Sequence, residues 1–322
     1  MKIYVIFFLI IGIGIEKITY CQNLREDYES KTKVADSLYN LKDYRNAATK
    51  YSIIFQENGG LGYVDDRYKA ACSWALINEP DSSFYQLFRI ATKGKYDEYE
   101  KIINEPNFET LHKHEQWSKL LAIIHKNKEE KEKNYNRMLI AALDTIFEED
   151  QKYRLQIKSI KEKYGADSDQ MNEIFRIIEL KDSINLLKVQ NILDKYGWLG
   201  PDIIKEKGST TLFLVIQHAD LSTQIKYLPI LKEAVKKGKA ENSALALLED
   251  RIALQQEKCQ IYGTQIEYDS KTQTYYIPSL CDAMNVDKRR EEVGLGPIAE
   301  YVKHWNIIWD SEAYIKNQKK IK

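Results

Sequence analysis

Six short polar stretches in the C-terminal half of the 322-residue chain carry side chains able to do chemistry. In order they are Asp150-Gln151 with Arg154; Tyr196-Gly197-Trp198 with Gly200; Gln217-His218-Ala219-Asp220; Leu248-Glu249-Asp250-Arg251; Tyr262-Gly263-Thr264-Gln265; and Val286-Asp287-Lys288-Arg289-Arg290, running on to Val293-Gly294-Leu295. His218 and Asp220 form the sharpest pair, because imidazole exchanges its proton near neutral pH and a carboxylate can orient it. Residues two apart on a regular helix point about 200° away from each other, so the pair works as a unit only where a helix ends. Asp220-Leu221-Ser222-Thr223-Gln224 can mark such an end, with Asp220 or Ser222 capping the next helix. The competing account of His218 is a structural histidine satisfied by Asp or backbone partners.

The other stretches supply an acid, a cation or a hydrogen-bonding edge. Asp150 and Arg154 stand at i and i+4, where opposite charges meet on a helix and, if exposed, contribute little. Asp250 and Arg251 are adjacent and must point differently, so each needs a partner elsewhere, among Arg289, Arg290 or residues 259–281. Arg289 and Arg290 offer a fork of donors to a carboxylate or phosphate, against the alternative of an internal salt-bridge network. Gly263 permits a bulge or a close backbone approach, and Gln265 can read a ligand's hydrogen-bonding edge. The candidate catalytic residues are therefore His218, Asp220 and Asp250, with Asp220 or Asp250 orienting the imidazole. The candidate ligand-binding residues are Arg251, Gln265, Arg289, Gln217, Tyr262 and Trp198. The chain has no glycine-rich phosphate loop, GxSxG elbow or HExxH helix, its cysteines lack CxxC spacing, and His112, His114 and His125 read as a surface helix. No metal and no cofactor is expected.

Taken in this order, the six stretches resemble a family of bacterial domains of unknown function, DUF6624, over roughly residues 136–304. The resemblance implies where a site lies and brings no activity with it. Leu199 stands where that family has a proline, Pro201 falls past the second glycine, and Glu257 and Cys259 replace the Gly and Pro that precede YGTQ.

Helices must position these groups. Met138, Leu139, Ala142, Leu143 and Ile146, then Ile174, Ile177, Ile178 and Leu180, predict two long helices by their spacing. After the turn Gly197–Pro201, residues 210–216 (TTLFLVI) suit a buried helix or a strand. Tyr, Ile and Thr alternate around Asp269-Ser270-Lys271, a hairpin signal. A hairpin symmetric about Ser270 would pair Cys259 with Cys281, and a one-residue slip would separate them.

The N-terminal third is organised differently. Ala35 is followed 12 residues later by Ala47, Ala71 is followed 12 later by Ser83, and the two units are offset by 36, near the 34-residue period of tetratricopeptide repeats. Small residues there let paired helices approach closely. Residues 68–72, Asp81 as an N-cap, and Asn104 to Leu111 resemble the tetratricopeptide-like modules of exported bacterial proteins. The charged run 126–133 (KNKEEKEK) reads as a linker or the start of a long helix.

Met1-Lys2 followed by an apolar run from Ile3 to Ile15 predicts a signal peptide cleaved near Cys21, too short for a membrane span of about 20 residues. Its removal takes Lys2, Lys17 and Glu16 from 48 basic and 48 acidic side chains and leaves a nearly neutral protein, which argues against nucleic acid as a partner.

The sequence thus predicts a mainly α protein in four segments: a signal peptide over 1–21, a tetratricopeptide-like repeat domain over 22–128, a helical domain with one β-hairpin over 129–310, and a basic tail over 311–322. It predicts a periplasmic or secreted interaction or scaffold protein, holding a protein or peptide partner on the repeat domain. The alternative is an enzyme or small-ligand receptor whose polar site, with a small anionic ligand, lies in the C-terminal domain. No integral membrane span is expected after cleavage.

Overall fold

In the computed structural model, which describes residues 27–269 and 272–321, the chain divides into two units, residues 1–133 and 134–322. The expected signal peptide lies outside the described residues.

The first unit is built from α1 (residues 27–40), α2 (Tyr44–Glu57), α3 (Val64–Leu76), α4 (Pro80–Thr92), α5 (Tyr99–Ile103) and α6 (Glu115–Glu132). The small residues sit at the closest helix approaches: Ala35, Ala47, Ala71 and Ser83 are all fully buried, and Ser83 Oγ donates to the Ala71 carbonyl at 2.8 Å. A larger side chain there would have to displace packed neighbours. Ala71→Leu is expected to cost about 1–3 kcal/mol of stability by overpacking, read as a fall in the thermal unfolding midpoint. The same change at exposed Lys93 should leave that midpoint almost unmoved.

Two local expectations change. Asp81 lies inside α4 behind Pro80, with Glu79 at the N-cap, because proline's fixed φ suits it to the first helical position. The run 126–133 is neither a linker nor a helix start. Residues 126–132 form the last turns of α6, with Lys133 at its C-cap, and the helix is pinned where buried Asn127 donates from Nδ2 to the carbonyls of Ala91 (2.7 Å) and Tyr96 (3.0 Å).

The second unit contains α7 (Arg137–Arg154), α8 (Ile157–Tyr164), α9 (Asp169–Tyr196), α10 (Pro201–His218), α11 (Leu221–Lys236) and α12 (Asn242–Gln255). Asn136 and Ser168 cap α7 and α9 by accepting from the main-chain N–H groups of Leu139 and Met171. Leu143, Ile146, Val189, Leu193, Leu212, Ile216, Tyr227, Leu231 and Leu248 form the core of this unit. Residues 210–216 belong to α10, not to a strand, and α10 packs against α7, α9, α11 and α12. The architecture is therefore mainly α with one hairpin, and among the described residues no helix is long and apolar enough to cross a membrane.

The hairpin pairs β1 (Glu267–Asp269) with β2 (Thr274–Tyr276), matching Glu267 to Tyr276 and Asp269 to Thr274. Its centre thus lies beyond Ser270, yet Cys259 and Cys281 are joined by a disulfide with Cα atoms 5.2 Å apart. The irregular chain on either side of the short ladder absorbs the difference in register, and Gln260 bridges to Leu280 beside the disulfide. Reducing this bond is expected to cost about 2–4 kcal/mol, the usual effect of releasing a closed loop. Thermal unfolding with and without reductant measures it, and the double change Cys259→Ser with Cys281→Ser should make the unfolding insensitive to reductant, since the remaining described cysteine, Cys72, is buried.

Beyond the hairpin come α13 (Val286–Glu292), α14 (Ile298–Val302) and α15 (Ser311–Ile321). The segment expected as a basic tail is therefore helical, and Tyr314 packs with Ile277, Val286 and Ile298 while its hydroxyl donates to the Pro278 carbonyl at 2.8 Å.

Candidate active site

His218 ends α10 and Asp220 caps α11, accepting from the Thr223 N–H at 3.0 Å and from the Ser222 hydroxyl at 2.9 Å. The chain turns sharply at Ala219, and the two side chains do not bond. The orienting carboxylate is neither Asp220 nor Asp250 but Asp150, whose Oδ1 lies 3.0 Å from His218 Nδ1. With Asp150 ionised, Nδ1 carries the proton and donates, which leaves Nε2 as the exchanging nitrogen; it has no partner among the described residues. The Asp150 side chain is 1% exposed and that of His218 is 20% exposed, so the acid is sealed beneath a ring that still reaches solvent.

Three further contacts hold Asp150, and the arginine that makes two of them is itself held by Asp182. Gln151 Nε2 donates to Oδ2 at 2.7 Å, Arg154 Nη1 donates to the Asp150 main-chain carbonyl at 2.8 Å and lies 3.4 Å from Oδ1, and Arg154 Nη2 grips both oxygens of Asp182 at 2.9 and 2.7 Å. Burial works to raise the Asp150 pKa, but the hydrogen bond and charge of His218, followed by Arg154 and Gln151, outweigh it and hold the carboxyl below its ordinary value. Asp150, Asp182 and His218 offer ligand atoms within 4.8 Å of one another, close enough to share an ion. Arg154 stands between the two carboxylates, gripping Asp182 with two charge-assisted bonds and lying 3.4 Å from Asp150 Oδ1, so a guanidinium already brings positive charge to this cluster.

Arg251 approaches from α12. Its Nε donates to Gln265 Oε1 at 3.0 Å and its Nη1 to the Gln217 carbonyl at 2.9 Å, the residue beside His218. Gln265 is held in turn by Thr264 Oγ1, at 3.0 Å from Nε2. Both acceptors of Arg251 are neutral, and among the described residues no carboxylate pairs with it and nothing accepts from Nη2. Burial, then the charge of Arg154, lowers its pKa. The α10 terminus is fixed from below by fully buried Gln224, whose Nε2 donates to the carbonyls of Gln217 (3.1 Å) and Ala219 (2.8 Å).

The remaining candidates build the frame. Asp250 is fully buried and accepts from the N–H groups of Ile261 (2.6 Å), Tyr262 (3.0 Å) and Thr264 (3.0 Å) and from Thr264 Oγ1 (2.9 Å). It shapes the turn that presents Gln265. Gly263 is required in that turn at φ +66°, where an added Cβ would sit 2.6 Å from Ile298 Cδ1. Arg289 donates to the carbonyls of Ile261 (2.9 Å) and Cys281 (2.6 Å), and Arg290 to those of Tyr262 (2.7 Å) and Gly296 (2.6 Å). These arginines staple the loop to α13, so Arg289 and the Tyr262 main chain serve structure. Trp198 lines a separate cavity of about 230 Å³ with Phe213 and Leu247.

Asp182 and Asn185 were not legible as site residues. They lie on the α9 stripe that continues through Val189 and Ile192, at helical offsets of three, seven and ten. A carboxylate and an amide prolonging an apolar stripe are the signal that could have found them. Asn185 is fully buried, and among the described residues neither amide atom has a partner; Oε1 of buried Gln217 is in the same condition. Buried polar atoms of this kind are ordinarily satisfied by water or a ligand.

Residues 138–313, more than half the chain, match the family model described as a family of unknown function (DUF6624). No curated protein and no solved structure matches the chain.

Proposed function

The chain belongs to the DUF6624 family, and on the geometry of its site we propose that the second unit is an acid–base enzyme acting on a small anionic substrate. The single observation carrying this is the His218 Nδ1 to Asp150 Oδ1 contact of 3.0 Å, which leaves Nε2 without a partner among the described residues. Nε2 takes a proton from water or a substrate hydroxyl, and buried Asp150 stabilises the imidazolium that forms. Arg251, with no acid of its own and Nη2 unspent, receives the negative group of the substrate, while Gln265 and the Gln217 carbonyl keep its fork in place.

The test is a set of phosphate esters and carboxylic acids offered to the mature chain, with consumption followed by NMR. Turnover by the wild type that is insensitive to a chelator and lost in a folded His218→Gln variant supports the reading. Consumption unchanged in that variant sinks it, and dependence on added divalent metal would transfer the Asp150, Asp182 and His218 group to a metal mechanism.

A second reading, an exported interaction or scaffold protein, draws on a different observation: the first unit has a cavity of about 530 Å³ walled by aromatic side chains. In this reading the tetratricopeptide-like repeat domain takes the partner. The Cys259–Cys281 bond supports a periplasmic or secreted location, since such bonds persist where the surroundings are oxidising.

A further inference from the structure

The walls of that cavity in the first unit include Phe55, Arg67, Trp74, Asp81, Tyr85 and Gln86. Arg67 is only 4% exposed. Its guanidinium lies 4.3 Å from the centroid of the Phe55 ring, with Nη1 donating to Gln86 Oε1 and Nη2 to the Gly60 carbonyl at 2.7 Å. Arg89 reaches the same Gly60 carbonyl with Nη2 at 2.6 Å, and its Nε is buried with no hydrogen-bond partner among the described residues. Two guanidinium groups therefore converge on one neutral oxygen, and among the described residues neither pairs with a carboxylate.

Burial, then the neighbouring charge of Arg89, lowers the Arg67 pKa. Sequestered cations without a counter-charge are costly, and an anion entering beside them relieves the cost. The cavity has the size of small-molecule sites, and its aromatic walls suit an apolar body. With Nη1 and Nη2 of Arg67 both engaged and the Asp81 carboxylate at the wall, one negative charge is favoured over two. We propose that this cavity binds a small free carboxylic acid with an aromatic or branched apolar body, its carboxylate beside Arg67, with the charge of Arg89 behind that guanidinium, and its body against Phe55, Trp74 and Tyr85. This is a site distinct from the His218 centre and does not depend on the acid–base reading.

The full mature chain is titrated by calorimetry with a panel of N-acetyl amino acids, N-acetylphenylalanine foremost, and with the matching amides. One-to-one binding of the acid, weakened about 10–100-fold in the amide by loss of the charge-assisted hydrogen bonds, is the expected result. Tyr85→Ala should weaken the acid without unfolding the chain, because Tyr85 is 58% exposed, and Arg67→Lys should weaken it further. Three results overturn the proposal: no binding by any acid of the panel, equal binding of acid and amide, or binding unchanged in Tyr85→Ala. Binding confined to peptides that end in a free carboxylate overturns the free-acid class in favour of a chain terminus. His218→Gln should leave the titration unaltered, so failure here and failure of the acid–base reading are told apart.

Discussion

Asp250→Ala is expected to destabilise the second unit by about 3–5 kcal/mol, the range for leaving charge-bound partners stranded in an interior. Asp250 has no exposed surface, and its two oxygens take three main-chain N–H groups and one hydroxyl from residues 261–264. Alanine removes the acceptor and leaves these buried donors without their partner. The turn they define carries Gln265, which holds Arg251, so the loss should reach the candidate site as well. Urea unfolding followed by near-ultraviolet signals gives the measurement. A change below about 1 kcal/mol would mean that the turn keeps its shape without the carboxylate. Asp250→Asn should fall between, because the amide oxygen can accept from part of the set while its NH₂ opposes the rest.

Asp250 illustrates what the chain discloses and what it hides. The residue types and their order placed the polar centre in the second unit, and helical spacing placed α7, α9 and the mainly α architecture. Periodicity says which face of a helix is buried; it does not say which of several buried acids faces which base. His218 and Asp220 are neighbours in sequence, but the turn at Ala219 sends Asp220 to cap α11, while Asp150 arrives from 68 residues away. Asp150 was visible only as one end of an i, i+4 pair with Arg154. Its burial depends on α7 packing against α10, a contact no local pattern encodes. The hairpin register differs for a similar reason: alternation gives the faces of the strands and leaves the register free, and here Asp269 pairs with Thr274 and not with a partner symmetric about position 270. The cysteines still meet because the connecting segments are irregular.

Asp150→Asn should separate catalysis from architecture at the His218 centre. The carboxylate fixes which ring nitrogen carries the proton and offsets the charge that develops when Nε2 accepts one. An amide of the same shape does neither reliably, so turnover should fall by about 10²–10⁴-fold. The pH dependence of stability provides a control that needs no substrate. The folded-state pKa of Asp150 lies below the ordinary 3.8, because the His218 bond and charge, with Arg154 and Gln151, overcome the opposing effect of burial. Its ionised contacts therefore contribute fully above pH 3.8 and are lost as pH falls through the lowered value. The wild type should be more stable than Asp150→Asn at neutral pH, and the gap should close in acid as the wild-type carboxyl takes up its proton. Parallel melts across pH 2 to 7 test this, with ¹⁵N spectra of His218 reporting the tautomer in each chain. A constant gap at all pH values would mean that Asp150 acts through shape alone. An unchanged tautomer together with undiminished turnover would remove Asp150 as the group that positions His218.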